Sequence, residues 1–142
     1  MMTPVRFATF AAAALISGAC ANKSPTQATG THSAVLQQGE VALVAGVFNL
    51  SLIRVDNDSR CPTDVTCASA GDATVVFTAV PPGPNGIGTA AMQFLHTNTE
   101  PRSLVLSGYR ITLDSLSPRP VSTHVIAQGE YRAYMSVAFL PD

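Results

Sequence analysis

Tryptophan is absent from this chain of 142 residues, aromatic residues make up only 6% of it and charged residues only 12%. Beyond Ala19 it carries seven basic and nine acidic residues, a net charge of about −2 with His neutral, and six of the seven basic residues are arginines scattered from Arg54 to Arg132. No basic patch results, and the clustered phosphate neutralisation that nucleic acid binding requires is excluded. Catalytic signatures are missing too. There is no H-E-x-x-H and no second histidine three to five residues from a first, which argues against zinc. Neither a nucleophile elbow nor S-x-x-K occurs, and the cysteine spacing is not the redox C-x-x-C. Asp56, Asn57, Asp58 and Asp64 fail the calcium-loop order because Arg60 occupies the third ligand position. The expectation is a protein that is not an enzyme, with no catalytic residue, metal or cofactor. An enzyme assembled from distant residues would need His96, His124 and Asp side chains around one pocket.

What the chain does have begins at its N-terminus. Met1 to Arg6 carries one positive charge, Phe7 to Ile16 is apolar, and Ser17-Gly18-Ala19-Cys20 follows. The apolar run is shorter than the roughly 20 residues a bilayer span needs, and small residues rather than a basic cluster follow it. Residues 1–19 therefore read as an export signal. Cleavage before Cys20 would leave that cysteine as a lipid-modified N-terminus, as in bacterial lipoproteins; cleavage after Ala19-Cys20-Ala21 would leave a soluble chain beginning at Asn22. Residues 20–33 are polar, with His32 inside the stretch, and bury too little apolar area to offset an ordering cost of roughly 1–2 kcal/mol per residue. They are expected to form a flexible tether, with His32 a solvated spacer.

The remaining segment, 34–142, is enough for one domain. With Cys20 lipidated or removed, Cys61 and Cys67 are an even pair in an oxidising compartment, and a disulfide between them is the expected arrangement. The hydrophobic pattern has period two. Val41–Val55, with a break at Gly46, Ala73–Val80, Thr89–His96, Ser103–Leu106, Tyr109–Leu113 and Tyr131–Leu140 read as strands, separated by turn clusters such as Pro81–Gly86 and Ser117–Pro120. No window carries helical periodicity. The expected fold is all-β: a single antiparallel β-sandwich of about seven strands with immunoglobulin-like architecture, a small barrel being the alternative.

One segment has motif character. Asp58-Ser59-Arg60-Cys61-Pro62 followed by Val65, Cys67, Ala70 and Gly71 reads D-S-R-C-P-x-x-V-x-C-x-x-A-G. It resembles a family of small exported bacterial proteins, many of them lipoprotein-like, with a similar Cys loop between two β-strands. The Tyr109-x-Ile111-x-Leu113 strand, a Pro-rich turn and a closing Tyr131 strand are similar to that family in the same order. Ser69 departs from it, since an aromatic residue often stands there. The resemblance implies export and a β-rich fold and supplies no activity. Asp58, Arg60 and Asp64 are the candidate binding residues, offered by a cross-linked loop; in the alternative, Arg60 bonds loop carbonyls or pairs with Asp58 or Asp64. The expected function is an exported envelope protein, anchored to a membrane by lipid on Cys20, acting as a binding or structural module with a protein partner in the envelope. A small secreted inhibitor offering the Cys61–Cys67 loop to a hydrolase is the second reading.

Overall fold

The computed structural model describes residues 30–81 and 90–141. The signal segment, Cys20, most of the tether and the Pro82–Gly86 connection lie outside the described residues. Eight strands follow in order: β1 (Thr31–Gln37), β2 (Ala42–Val44), β3 (Phe48–Asp56), β4 (Thr74–Val80), β5 (Ala91–His96), β6 (Ser103–Leu106), β7 (Tyr109–Ser117) and β8 (Arg132–Phe139). They form two four-stranded antiparallel sheets, ordered β1-β8-β7-β6 and β2-β3-β4-β5. The expected two-sheet sandwich is present, with one strand more than expected and without closure into a barrel. Within each sheet the order is a meander, with β1 returning to pair with β8, rather than a Greek key. Short connections favour this, since β6 and β7 are joined through Ser107-Gly108 alone.

Alternation puts one face of each sheet in the core. Phe48, Leu50, Leu52 and Val55 from β3, with Val75, Phe77 and Ala79 from β4, face Ile111, Leu113 and Leu116 from β7 and Ala133, Met135 and Val137 from β8. Tyr109 stacks edge-on against Phe48 across the sandwich, with ring centroids 5.1 Å apart. Two bulges interrupt the alternation, one between Leu52 and Arg54 and one between Leu113 and Ser115. In each, two outward residues stand between inward ones, so Val55 and Leu116 still reach the core.

β1 corrects the tether boundary. Thr31, His32 and Ser33 belong to a strand paired with Ala138, Val137 and Ser136 of β8, not to a flexible segment. Its composition hides it, because Leu36 is the one fully buried residue and backbone pairing with β8 supplies the rest. His32 is no solvated spacer: it is half-buried, and its Nε2 is shielded from solvent without a hydrogen-bond partner among the described residues.

The two ends of the sandwich differ. Thr31 pairs with Ala138 at the end where the chain enters the domain, whereas Gln37 pairs with Arg132 at the other, about 20 Å away at roughly 3.3 Å per residue. The Cys loop (57–73), the β5–β6 connection (97–102) and the β7–β8 connection (118–131) all gather at that far end. Gln128, in a single 3-10 turn, completes the end of β3: its side-chain amide accepts from Val55 N at 2.9 Å and donates to Val55 O at 2.8 Å.

Candidate functional site: the Cys loop and the cleft beside it

The loop turns out of β3 at Asn57, whose φ of 52° is the left-handed conformation that Asn tolerates better than most residues. This turn lets Asp58 fold back over Arg60. Arg60 donates from Nε to Asp58 Oδ1 at 2.8 Å and from Nη2 to Oδ2 at 2.7 Å, a two-pronged ion pair. The same guanidinium donates to Leu116 O at 2.6 Å and Pro118 O at 2.9 Å, and Tyr131 Oη donates to Asp58 Oδ2 at 2.9 Å. The Arg60 and Asp58 side chains are 9% and 12% exposed. One largely but not fully buried pair thus ties the start of the Cys loop to the end of β7 and the start of β8.

These geometries set the local protonation. Burial opposes the Asp58 charge, but the Arg60 hydrogen bonds, the Tyr131 hydroxyl and the guanidinium charge outweigh it and hold the carboxyl below its ordinary range. Tyr131 is pushed up to about 12, by burial first and then by its bond to the Asp58 carboxylate.

Across the loop, Ser59 N donates to Asp72 O at 2.7 Å and Cys61 N to Ala70 O at 2.8 Å. Gly71 permits this approach. At φ +65° it lies so close to the opposite arm that an added Cβ would sit 1.8 Å from Ser59 O. Cys61 and Cys67 form the expected disulfide, with Cα atoms 5.9 Å apart. A disulfide fits an oxidising, exported compartment.

Asp72 closes the loop on its other side. Its Oδ1 accepts from Ala73 N at 2.8 Å, Thr97 N at 2.9 Å, Thr97 Oγ1 at 2.7 Å and Asn98 N at 2.9 Å, while Thr99 Oγ1 bonds Oδ2. Burial works against its charge, yet so many donors hold the carboxyl well below the usual carboxylate range.

The candidate binding residues therefore need correction. Asp58 and Arg60 are not offered to a partner; each satisfies the other and the chain around it, because a charge so largely shielded from water would be costly if left unpaired. Asp64 is exposed, but its carboxylate accepts from Ser122 N at 2.8 Å and from Ser122 Oγ. The loop tip is pinned rather than free, since Thr63 N also donates to Pro120 O at 2.9 Å. Three of the four oxygen-bearing residues considered for calcium are engaged elsewhere: Asp56 pairs with Arg54 at 2.9 Å, and Asp58 and Asp64 are occupied as above. Nor do the histidines converge. His96 Nδ1 lies 3.2 Å from Thr74 Oγ1 and 3.6 Å from Asp72, while His124 lies 3.2 Å from Glu130. Among the described residues no three His, Cys, Asp or Glu side chains gather as metal ligands, and no helix is long and apolar enough to cross a membrane.

What the braces enclose is an open cleft of about 690 Å³ between the inner side of the Cys loop, the β5–β6 connection and the bulged end of β7. Ser69 and Ala70 line one wall, Asn98 and Arg102 another, and Ser117 and Arg119 a third. Both Arg102 and Arg119 are exposed, and among the described residues neither is in an ion pair. The sequence gives no sign of this meeting, because Arg102 and Arg119 sit in separate connections that only the fold brings to one place. The Tyr131 bond to Asp58 is equally silent, since the alternation of β8 marks Tyr131 as a core residue and says nothing of its hydroxyl. Compared with known proteins, the chain matches no family model, no curated protein and no solved structure.

Proposed function

We propose that this chain is an exported envelope protein, anchored by lipid on Cys20, that binds a partner or ligand at the far end of its sandwich and catalyses nothing. The observation that carries the reading is the polarity of the domain. The chain enters beside Thr31, while the cleft and the disulfide loop lie at the opposite end, near Tyr131 and Asp58. A tether fixed to a membrane at Cys20 would leave that end free. The Asp58–Arg60–Tyr131 brace and the Asp72 cluster support a binding role, because walls fixed in advance lose less entropy when a ligand arrives.

Fractionation tests the anchor. The wild-type protein should sediment with membranes through a high-salt wash and be released by detergent, and Cys20→Ala should appear in the soluble fraction. Equal sedimentation of both, or a soluble wild type, would remove the lipid from the account.

The inhibitor reading retains one supporting observation. Thr63 to Ala70 are all exposed, with Val65 47% exposed near the loop tip. Recognition by a hydrolase would then rest on Val65 and its neighbours rather than on Arg60, and Val65→Asp would abolish inhibition without unfolding the domain.

A further inference from the structure

We infer that the cleft beside the Cys loop binds the anionic group, carboxylate or phosphate, of a small molecule through Arg102 and Arg119. The inference rests on the reading of the far end as the binding end, and names the ligand chemistry there.

The balance of satisfied and unsatisfied charge around the cleft points to an anion. Arg60 reaches its wall, but that guanidinium is neutralised by Asp58 and four of its five N–H donors are taken by Asp58, Leu116 and Pro118. The acidic groups nearby keep their charge, but each faces neutral hydrogen-bond donors and, among the described residues, none pairs with Arg102 or Arg119. Asp72 is filled by Thr97, Asn98 and Thr99, Glu100 Oε2 accepts from Arg102 N at 2.9 Å, and Asp114 Oδ1 accepts from Ser136 Oγ at 3.0 Å. Arg102 and Arg119 have no such partner among the described residues. A planar guanidinium meets a carboxylate or phosphate with two parallel hydrogen bonds, which makes two of them on one cleft a natural receptor for such groups. The Ser69 and Ser117 hydroxyls on the same walls can add donors.

Size and net charge restrict the ligand further. About 690 Å³ falls within the range of small-molecule sites. Two unpaired cations on one cleft, in a chain of net charge −1, are too few to hold a nucleic acid strand. Asp114, on the cleft margin, sets a limit of its own, because it would repel a ligand whose negative charge spreads over its whole length.

The test is an amide-resolved NMR titration of the mature, full-length protein in nonionic micelles, with lactate as the carboxylate probe and glycerol 3-phosphate as the phosphate probe, each charged at one end only. Sodium chloride at matched ionic strength is the control. Saturable shifts are expected at Ser69, Ala70, Asn98 and Ser117 with one or both probes, and the probe that saturates first identifies the group. Arg102→Ala and Arg119→Ala should each weaken binding by about tenfold or more, while Arg110→Ala, on the outer face of β7, should leave it unchanged. Absence of saturation by about 10 mM, beyond the millimolar range of weak specific binding, would overturn the inference. So would shifts that chloride reproduces or that survive in the Arg102→Ala/Arg119→Ala protein. The titration reads the cleft whether or not Cys20 carries lipid, so its failure and that of the anchor are separate results.

Discussion

Replacing Arg60 by Met tests how much of the far end depends on one side chain. The substitution removes both prongs to Asp58 and the donors to Leu116 O and Pro118 O, leaving the Asp58 carboxylate to Tyr131 Oη and the Arg60 backbone N–H. Removing one partner of a buried pair costs roughly 3–5 kcal/mol, because the other charge stays behind unpaired. With the two side chains 9% and 12% exposed, water reaches the pair slightly and the low end, about 3 kcal/mol, is appropriate. Against a total of roughly 5–15 kcal/mol for a domain this is a large loss. It corresponds to a fall in Tm of roughly 12–24 °C for a domain of about 100 residues. Urea unfolding of the disulfide-intact protein, followed by circular dichroism, measures it. Arg60→Lys should fall between, since it keeps the charge and loses the fork. In a cycle with Asp58→Asn, the double variant should cost less than the sum of the singles by about 1 kcal/mol or more. A loss under about 1 kcal/mol for Arg60→Met, the worth of an exposed pair, or an additive cycle, would refute the brace.

Gly71→Ala should destabilise by about 3 kcal/mol, and Gly71→Asn should do no better, because the clash with Ser59 O is with backbone and not only with φ; calorimetry showing Asn restoring wild-type stability would contradict this. Alkaline stability should fall between the ordinary tyrosine value near 10 and about 12, since a group raised by folding stabilises below its unfolded pKa and loses that contribution as pH rises through the folded one. Tyr131→Phe should flatten that limb in urea midpoints taken from pH 8 to 12, and an unchanged slope would refute the assignment. Asp58 and Asp72 act with the opposite sign: their contribution is complete above about pH 4 and is lost as pH falls further, and Asp72→Asn should reduce this acid dependence. Reducing Cys61–Cys67 should cost roughly 2 kcal/mol, the value for so short a loop, and leave the sandwich folded, as hydrogen exchange in β3, β4, β7 and β8 would report. Loss of protection in those strands on reduction would show that the disulfide, rather than the core, holds the domain together.

The strands with clean alternation were legible from residue order, and those that depend on distant partners were not. Tyr109, Ile111 and Leu113 announce β7, but the strand continues to Ser117 because a bulge at Leu113–Ser115 lets Leu116 point inward, and a period-two reading stops where the bulge begins. β1 is nearly invisible in Thr31–Gln37 because edge pairing to β8, not its own side chains, keeps it in place. The Cys loop was recognisable as a cross-linked turn, and pairing of Arg60 with Asp58 was one of the alternatives its sequence allowed. What decided between them was Leu116, Pro118 and Tyr131, each more than fifty residues away. The cleft is the least legible feature of all. Its charge depends on which arginines have spent their donors, a property of the folded chain.

The start of the mature chain carries the most weight, since anchoring at Cys20 is what would make the cleft the free end of the domain. Intact mass of the mature protein from cells labelled with palmitate measures it directly. The account predicts a chain that begins at Cys20, carries the label, and loses it in Cys20→Ala. A chain that begins at Asn22 without label would contradict it.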